Sequence, residues 1–489
     1  MYTDALRVTA WDRISQQGLH AFLGLLTLER VCMAAGMAGL VVGENPLHLG
    51  NLAWLGISAA LHPLRTFASV LGFTLKLLQD SPFAMPAPLQ PPVSSRRRRS
   101  GTKKRSKHDP RRDDPTQLSE EAFTQARHAM PLSFWAALLV VLGNCFQVDH
   151  GNWIHWKQFR LLAMDGTTID LVNWKKLREH FGTANNGSGK HVPQARMVML
   201  QFPLARLPYR YELTPRSVSE NTSAMQLAKH LQPGDLVLLD RGFWSYGLFC
   251  QILAQGAHLG IRLKKGMLFK NGRWLGNKDQ LMRWNVPKKH RSKGYLESLP
   301  LRRIDYQIPG FRVSSVVTTV TDPCQMTRED WVRLTTQTEP GDRRLGVGLY
   351  HRRWEIETTF SELKVRQGME GKLRSRTPQG IAYEIAGHVL LYLLVRWLMV
   401  EAAVDHHLDP LRLSFLNALR EVQDMVPTLT TASPKRIASI LLPRLLQRIA
   451  QHLVAERPGR HFPRPNDTKI KNKGNGVFRL PSKLCANEA

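Results

Sequence analysis

With 489 residues, the chain is too long for one ordinary domain, and we expect several. It carries 68 Lys and Arg against 39 Asp and Glu, and the resulting net charge of +29 favours a polyanionic partner such as nucleic acid. Five scattered cysteines without a CxxC pair argue against a disulfide framework or a structural zinc site, and they agree with a reducing cytoplasm. The N-terminus lacks the basic-then-apolar order of a signal peptide.

The first third of the chain is predicted to be helical, apart from one basic segment. Apolar residues recur at helical spacing within residues 1–80, which we predict to be an all-α N-terminal domain that binds DNA. Residues 81–115 combine prolines with clustered arginines and lysines, which oppose burial and predict a linker. A helical connector is expected over 116–155. Its apolar stretch Pro131–Val148 is shorter than the roughly 20 residues of a membrane span, which favours a buried helix over a membrane protein.

From residue 156 onward, apolar strand-like runs alternate with helical segments, which predicts an α/β fold. The predicted strands are Arg160–Met164, Gln194–Phe202, Leu207–Leu213, Asp235–Leu239, Ala257–Lys264 and Val313–Val320. The predicted helices are Asn221–Leu231, Phe243–Gln255, Arg344–Met369 and Pro378–Val404. We interpret the polar, basic stretch 266–312 as a β-rich insertion outside the central sheet. The expected parts are therefore a core in two pieces (156–265 and 313–404) around the insertion, C-terminal helices over 405–455 and a basic tail over 456–489.

Two aspartates directly follow buried-looking apolar runs. Asp165 stands in LLAMDGT and Asp240 in LVLLDRGFW. We expect each to lie at the C-terminal end of a strand, where a rigid sheet aims the side chain into a cleft. An Asp–Gly pair after a strand is also a common turn, so neither aspartate alone establishes a site. Their similar settings make the pair a candidate for chemistry.

A third carboxylate is expected from a helical segment that holds three glutamates: Glu355, Glu357 and Glu362. At about 100° per residue, one face within an arc of about 60° carries four residues, namely Tyr350, Arg353, Glu357 and Lys364. Glu355 and Glu362 point roughly to the opposite side, where solvation or ion pairing is expected. An ordinary ion pair between Arg353 and Glu357 would explain those two residues. It would not explain why Tyr350 and Lys364 lie on the same helical face, which we call the signature stripe.

The spacing Y-x2-R-x3-E-x6-K of this segment resembles the signature of the insertion-sequence-four family of DDE transposases. The surrounding motifs are also similar to that family: MDGTTI, DRGFW, VVTTVTDP and RSRTPQGIAYEIAGHVLL. The resemblance covers about Leu161–Met399, half of the chain. It implies a ribonuclease-H-like catalytic core, with the first Asp on the first strand, the second after the fourth strand, and the Glu on a later helix.

The resemblance implies that Asp165, Asp240 and Glu357 are the catalytic residues and hold Mg²⁺, for which Mn²⁺ can substitute, as two ions. Arg353 and Lys364 are then expected to pair with phosphates beside the scissile bond, and Tyr350 to hydrogen-bond or stack near the cleaved end. The implied partners are double-stranded DNA, both terminal inverted repeats and target, and a second copy of the chain on paired ends. Cut-and-paste transposition in the bacterial cytoplasm, at the nucleoid, would follow; whether a hairpin intermediate forms is left open.

One departure and two alternatives remain. Some relatives stack a flipped base on a tryptophan just upstream of the TT-containing strand, but RVSSVVTT has none. Trp274 and Trp284 lie further upstream and could substitute, or could anchor the insertion. The alternatives are a non-catalytic DNA-binding protein on the same fold and another ribonuclease-H-type metal-dependent nuclease. The intact carboxylates argue against the first, and the Tyr–Arg–Glu–Lys spacing against the second.

Overall fold

A mixed α/β fold is built around one large sheet. The structure, a computed structural model, describes residues 24–42, 49–63, 66–72, 120–183, 192–264, 267, 269, 272–307, 313–332 and 348–455. The predicted linker 81–115 and tail 456–489 lie outside the described residues.

The strands are β1 (His155–Trp156), β2 (Phe159–Asp170), β3 (Gln194–Phe202), β4 (Leu207–Pro215), β5 (Asp235–Leu239), β6 (His258–Arg262), β7 (Arg273–Gly276), β8 (Asp279–Asn285), β9 (Ser298–Tyr306) and β10 (Ser314–Thr318). The described α-helices are α1 (Leu28–Met37), α2 (Leu49–Leu61), α3 (Glu120–Ala129), α4 (Leu132–Asp149), α5 (Lys175–Phe181), α6 (Glu220–Ala228), α7 (Tyr246–Ala254), α8 (Arg328–Val332), α9 (Glu355–Ser361), α10 (Pro378–Asp405), α11 (Phe415–Thr431), α12 (Pro434–Arg436) and α13 (Leu442–Ala450).

The ten-stranded sheet has the order β4-β3-β2-β5-β6-β10-β9-β8-β7, and β1 pairs with β2 beside this path. β2, β3 and β4 are antiparallel neighbours, whereas β2, β5 and β6 run parallel. The β5 sequence DLVLL is buried along its whole length, as a central parallel strand requires, because both of its faces are covered. The parallel strands therefore present their C-terminal ends at one edge of the sheet.

The insertion belongs to the sheet. β10 pairs with β6 on one side and with β9 on the other, so that β9, β8 and β7 continue the central sheet. The interpretation of 266–312 as a segment outside the sheet was therefore wrong, although its β-rich character is confirmed. The physical reason is that a bare edge of β10 would leave backbone N–H and C=O groups unpaired.

The described N-terminal helices share the core of the rest of the chain. α1 packs against α4, and α2 packs against α10. A Cβ on Gly387 would lie 2.5 Å from the Gly56 carbonyl oxygen, so the two helices cross with backbone touching backbone. Because residues 50–61 of α2 are all buried, this helix presents no face to DNA. The described part of 1–80 is thus helical and packs on the rest of the chain, and its forming a domain stays a prediction.

Two described helices, α4 and α10, are long and apolar enough to cross a membrane by length and composition. Burial within the protein covers 56% of the relevant stretch of α4 and 94% of that of α10. A buried core helix of a folded protein meets the same criteria of length and composition. The capping of α10 is typical of a helix within a folded domain, since the Thr377 side chain accepts a hydrogen bond from the Gly380 N–H and Pro378 begins the helix.

Candidate active site

Asp165 and Asp240 occupy adjacent positions on neighbouring parallel strands. Met164 is paired with Leu239 at the end of the β2–β5 ladder, so the next residue on each side is one of the two aspartates. β5 stops at Leu239, whereas β2 runs on to Asp170 because it keeps pairing with β3. The expectation that Asp165 ends a strand was therefore wrong. It lies inside β2 but directly after the parallel pairing stops.

The third carboxylate comes from residues 349–366, which we call the signature segment. It is not one long α-helix, as we predicted over Arg344–Met369. A 3₁₀ turn at Leu349–Trp354 leads into α9, and a π-helical turn follows at Glu362–Arg366. Residues 333–347 lie outside the described residues. The segment nevertheless directs Glu357 towards the two aspartates.

Arg353 lies among the three carboxylates. Its Nη2 is 3.0 Å from Glu357 Oε1, its Nη1 3.4 Å from Asp165 Oδ2, and its Nε 3.9 Å from Asp240 Oδ1. The Arg353 side chain is only 4% exposed, and its guanidinium lies 4.5 Å from the ring centroid of Trp354. Asp240 and Glu357 are 39% and 42% exposed, so solvent reaches the site from their side. The structure thus brings the three predicted acids together around one cation.

The electrostatics of Asp165 reflect this crowding. Burial raises its pKa to about 6, against the lowering effect of the Gly166 N–H, which donates to Asp165 Oδ1 at 2.8 Å, and of Arg353. The negative charges of Asp240 and Glu357 raise that pKa further. Carboxylates that crowd one another in a partly buried site favour a shared cation.

The donor chemistry fits a hard divalent cation, because all three side chains offer carboxylate oxygens. A second observation agrees with this fit: a positive group, the Arg353 guanidinium, already stands where the three acids meet. The positions of these side chains in the structure are a separate question from their chemistry. Within the described ranges, no group of three or more His, Cys, Asp or Glu side chains is placed to hold a metal ion. The three acids therefore fit a hard cation by their donor chemistry, and in this structure the Arg353 guanidinium lies in the space between them.

Tyr350 is buried and bridges two strand ends. Its hydroxyl donates to the Leu239 carbonyl oxygen at 3.0 Å and accepts a hydrogen bond from the Arg262 N–H at 3.0 Å. Leu239 ends β5 directly before Asp240, and Arg262 ends β6. In this arrangement Tyr350 supports the main chain beneath Asp240. Its contact with DNA stays a prediction.

Lys364 lies against the part of β2 that continues past Asp165. Its Nζ donates to the Thr168 carbonyl oxygen at 2.8 Å and pairs with Glu370 Oε1 at 3.1 Å. Lys364 lies within the π-helical turn, so its place on the helical face of Glu357 stays a prediction. A phosphate contact of Lys364 also remains a prediction.

The opposite face of the signature segment is held by a residue that sequence reasoning missed. Glu355 and Glu362 are both paired with Arg206, at 2.7 and 3.1 Å, so the expected alternative of ion pairing is the one that forms. The Tyr392 hydroxyl donates to the second oxygen of Glu362 at 2.6 Å. Two glutamates on one helix face indicate from the sequence that a positively charged side chain should pair with them. They do not indicate which Arg or Lys of the chain this is.

The two tryptophans of the insertion differ in setting. Trp284 packs edge-to-face against Trp244 and Phe249, each with ring centroids 5.2 Å away, and it therefore anchors the insertion on the core. Trp274 on β7 is 62% exposed. Of the two, only Trp274 presents a largely open ring surface.

Comparisons with known proteins find transposases. Residues 156–394 match the family described as "Transposase DDE domain", a range that includes all three acids. The chain is 28% identical over 335 residues to the transposase InsG for insertion sequence element IS4 of Escherichia coli (strain K12), which covers 64% of this chain and 72% of that protein. A solved structure, the piggyBac transposase synaptic complex with hairpin DNA, is a distant likeness with a TM-score of 0.39 and 12% identity, over 90% of this chain and 86% of that chain. These matches support the assignment of the chain to the insertion-sequence-four family of DDE transposases, as an enzyme that transposes an insertion sequence.

Proposed function

We propose that the transposase cuts and joins DNA strands at Asp165, Asp240 and Glu357 by metal-dependent phosphoryl transfer. The observation that carries the proposal is the convergence of these acids, from three separate elements, around the Arg353 guanidinium. We further infer a ribonuclease-H-like core for β2 to β6. An antiparallel β2–β3–β4 unit followed by parallel β5 and β6 supports that inference, with one Asp on the first long strand and the other after the fourth.

The three acids would hold Mg²⁺ or Mn²⁺, as two ions, which supply activation of the attacking oxygen and stabilisation of the leaving one. Arg353 is well placed to give up its acid partners and pair with a phosphate beside the scissile bond, because a guanidinium binds phosphate oxygens in a bidentate manner. Lys364, whose Nζ lies against the Thr168 carbonyl of β2, would contribute a second positive charge. Tyr350 would keep the β5 end, and with it Asp240, in place.

The proposed partner is double-stranded DNA, as the terminal inverted repeats of the element and as target. The net charge of +29 supports a polyanionic partner, and the IS4 relative supports an insertion sequence as the mobile element. Pairing of two ends calls for a homodimer. We place this cut-and-paste reaction in the bacterial cytoplasm at the nucleoid. DNA recognition by residues 1–80 remains part of the proposal, through residues other than the buried α2.

The test incubates the purified full chain with Mg²⁺ and DNA that carries the terminal inverted repeats. Loss of a residue that only orients a metal ligand reduces activity by about 10- to 100-fold. Asp165→Asn and Glu357→Gln should each reduce end-specific nicking by more than that. Binding of the same DNA should persist, since neither change removes a cation.

Glu329→Gln serves as the matched control. Its carboxylate is 62% exposed and, among the described residues, forms an ion pair only with the neighbouring Arg328. Normal nicking by this variant would show that loss of a negative charge alone is harmless. Nicking that survives in Asp165→Asn or Glu357→Gln would overturn the site assignment. Specific binding without any cleavage by the unsubstituted chain would favour the non-catalytic alternative.

A further inference from the structure

Arg206 has an unusual backbone conformation for its residue type. It lies in the turn between β3 and β4 with a φ of +51°, in the left-handed region that residues with a Cβ rarely adopt. Such a conformation persists only where surrounding contacts impose it, and it often marks a position with a functional constraint. The contacts of Arg206 identify that constraint.

The Arg206 guanidinium joins two acids of the signature segment. Its Nε donates to Glu355 Oε2 at 2.7 Å, and its Nη1 donates to Glu362 Oε1 at 3.1 Å. All three side chains are largely buried, with 13%, 13% and 11% exposed for Arg206, Glu355 and Glu362. Burial would raise the pKa of Glu355, but the nearby cations Arg206 and Arg352 lower it below its usual range, so this acid is charged.

The turn that carries Arg206 is itself fixed. The Nε of Arg396, a fully buried residue of α10, donates to the Ala205 carbonyl oxygen at 3.0 Å. The Tyr392 hydroxyl, also on α10, holds Glu362 from the other side. Arg206 is therefore a rigid connection between the β3–β4 turn, the long core helix and the signature segment.

The signature segment needs such a connection because it is short and irregular. Its only α-helical part, α9, has 7 residues between a 3₁₀ turn and a π-helical turn. A helix of this length does not maintain its own orientation, so tertiary contacts must set it. With a carboxylate about 6 Å from the helix axis, a rotation of about 20° would displace Glu357 by roughly 2 Å, whereas chemistry tolerates about 0.5 Å.

We propose that Arg206 is a positioning residue for catalysis. By binding Glu355 and Glu362, two turns apart on the face opposite Glu357, it sets the rotation of the signature segment so that Glu357 and Arg353 meet the aspartates. The inference rests on the proposed function, because the importance of this rotation depends on the catalytic role of Glu357.

The experiment compares two neutralised buried ion-pair networks. The test variant carries two changes, Arg206→Met and Glu362→Gln, while Glu355 keeps its ion pair with the buried Arg352, whose Nη1 lies 3.7 Å from Glu355 Oε1. The matched control carries Arg160→Met and Asp235→Asn. That buried pair, with Arg160 Nε 2.6 Å from Asp235 Oδ1, lies at the opposite end of the β2–β5 ladder from the aspartates. Both proteins are assayed well below their melting temperatures.

At saturating end DNA, the cleavage rate of the test variant should fall by about 10- to 100-fold, as for other outer-shell supports, while its Kd for the DNA stays within about threefold. The control should keep both quantities within about threefold of the unsubstituted enzyme. Arg206→Lys, which retains the charge but loses the planar fork, should cleave at an intermediate rate. A test variant that cleaves at the control rate, or that loses only DNA affinity, would overturn the inference.

Hydrogen exchange tests the same inference without relying on cleavage. Amides of residues 349–366 should exchange faster in the test variant than in the unsubstituted chain, and at an unchanged rate in the control. Unchanged exchange in the test variant would overturn the inference even if that variant cleaved DNA slowly. Faster exchange in a chain that never cleaves would support Arg206 as the support of this segment and contradict the proposed function instead.

Discussion

Individual residues of the signature stripe have distinct settings. Arg353 faces the three acids and is close to fully buried, whereas Tyr350 turns its hydroxyl towards the main chain of β5 and β6. Arg353 therefore balances the negative charge of the three acids, and Tyr350 fixes the backbone at the ends of β5 and β6. The common helical face that the sequence predicts does not imply a common role, because the sheet ends pack closely around the first turn of the segment.

Tyr350→Phe tests the supporting role. Loss of the hydroxyl leaves the buried Leu239 carbonyl without this donor, which should lower the free energy of unfolding by about 1–2 kcal/mol. End cleavage should slow while DNA affinity stays near normal. Chemical denaturation, cleavage kinetics and DNA titration measure the three quantities.

Tyr383→Phe is the control for this change. Its hydroxyl is also buried and donates to a backbone carbonyl, that of Leu52, at 2.6 Å, but it lies between α10 and α2. We expect a similar loss of stability with normal cleavage well below the melting temperature. A large loss of DNA affinity in Tyr350→Phe, absent from Tyr383→Phe, would instead indicate that Tyr350 contacts DNA.

At the scale of elements, α10 is the helix on which the site is built. It holds the signature segment through Tyr392 and the β3–β4 turn through Arg396, and it also buries a histidine next to the segment. The Gln367 side-chain amide donates to His388 Nδ1 at 2.9 Å and to the His388 carbonyl oxygen at 2.8 Å. Since Nδ1 accepts this bond, the imidazole is held in its neutral form.

This histidine predicts a pH dependence of stability. Burial lowers the pKa of His388 to about 3, followed by the effects of Arg374 and Lys372, whereas an unfolded chain has the ordinary value of 6.5. Between these values the unfolded state binds the proton and the folded state does not, so stability falls as the pH falls. From pH 7 to pH 4 the contribution of His388 to this loss is about 3 kcal/mol.

His388→Asn, whose amide oxygen can replace the Nδ1 acceptor, should remove that part of the dependence. Urea unfolding of both proteins at pH 7, 5 and 4 provides the measurement. The free energy of unfolding of the unsubstituted chain should fall more steeply towards pH 4 than that of the variant. Parallel pH profiles would show that His388 does not titrate differently in the folded and unfolded states.

At the scale of the whole molecule, positive charge is not spread evenly. The 3₁₀ turn Lys288–Lys293 of the insertion exposes four cations, none of which pairs with a carboxylate within the described part of the chain: Lys288, Lys289, Arg291 and Lys293. The ring of His290 stacks on Tyr246 at 6.4 Å, and Tyr246 begins α7 shortly after Asp240. The turn is thus anchored on α7, the helix that follows Asp240 along the chain, and we expect it to face the phosphates of bound DNA.

Salt dependence tests that expectation quantitatively. One variant replaces three lysines of the turn by glutamine: Lys288, Lys289 and Lys293. Each lost phosphate contact should reduce the slope of log K against log salt concentration by about 0.9, so we expect a reduction of about 2.7. DNA titrations at several salt concentrations measure the slope.

The matched variant removes the same charge from exposed positions on the C-terminal helices: Lys435, Arg436 and Arg444. Its slope should change by much less, because a distant charge alters the general attraction but releases no condensed counterions at a contact. Equal slopes for the two variants would contradict a specific role of the insertion turn.

Much of the core could be predicted from the sequence. The strands Gln194–Phe202 and Asp235–Leu239 are confirmed as predicted, and Pro378–Val404 differs from α10 by a single residue. Apolar runs and helix caps are local properties, so they can be recognised without knowledge of distant partners. The predicted single helix around the signature failed for the opposite reason, since packing against the sheet ends and α10 imposes the 3₁₀ and π-helical turns.

By itself, the sequence determined which acids belong together, because the motif spacing and the apolar runs before Asp165 and Asp240 are contained in short stretches of chain. Only the tertiary structure decided how those acids are arranged. The partner of Glu355 lies 149 residues away at Arg206, and β7–β9 join the central sheet through β10. Contacts between residues so far apart depend on how the whole chain folds, and no local pattern encodes them.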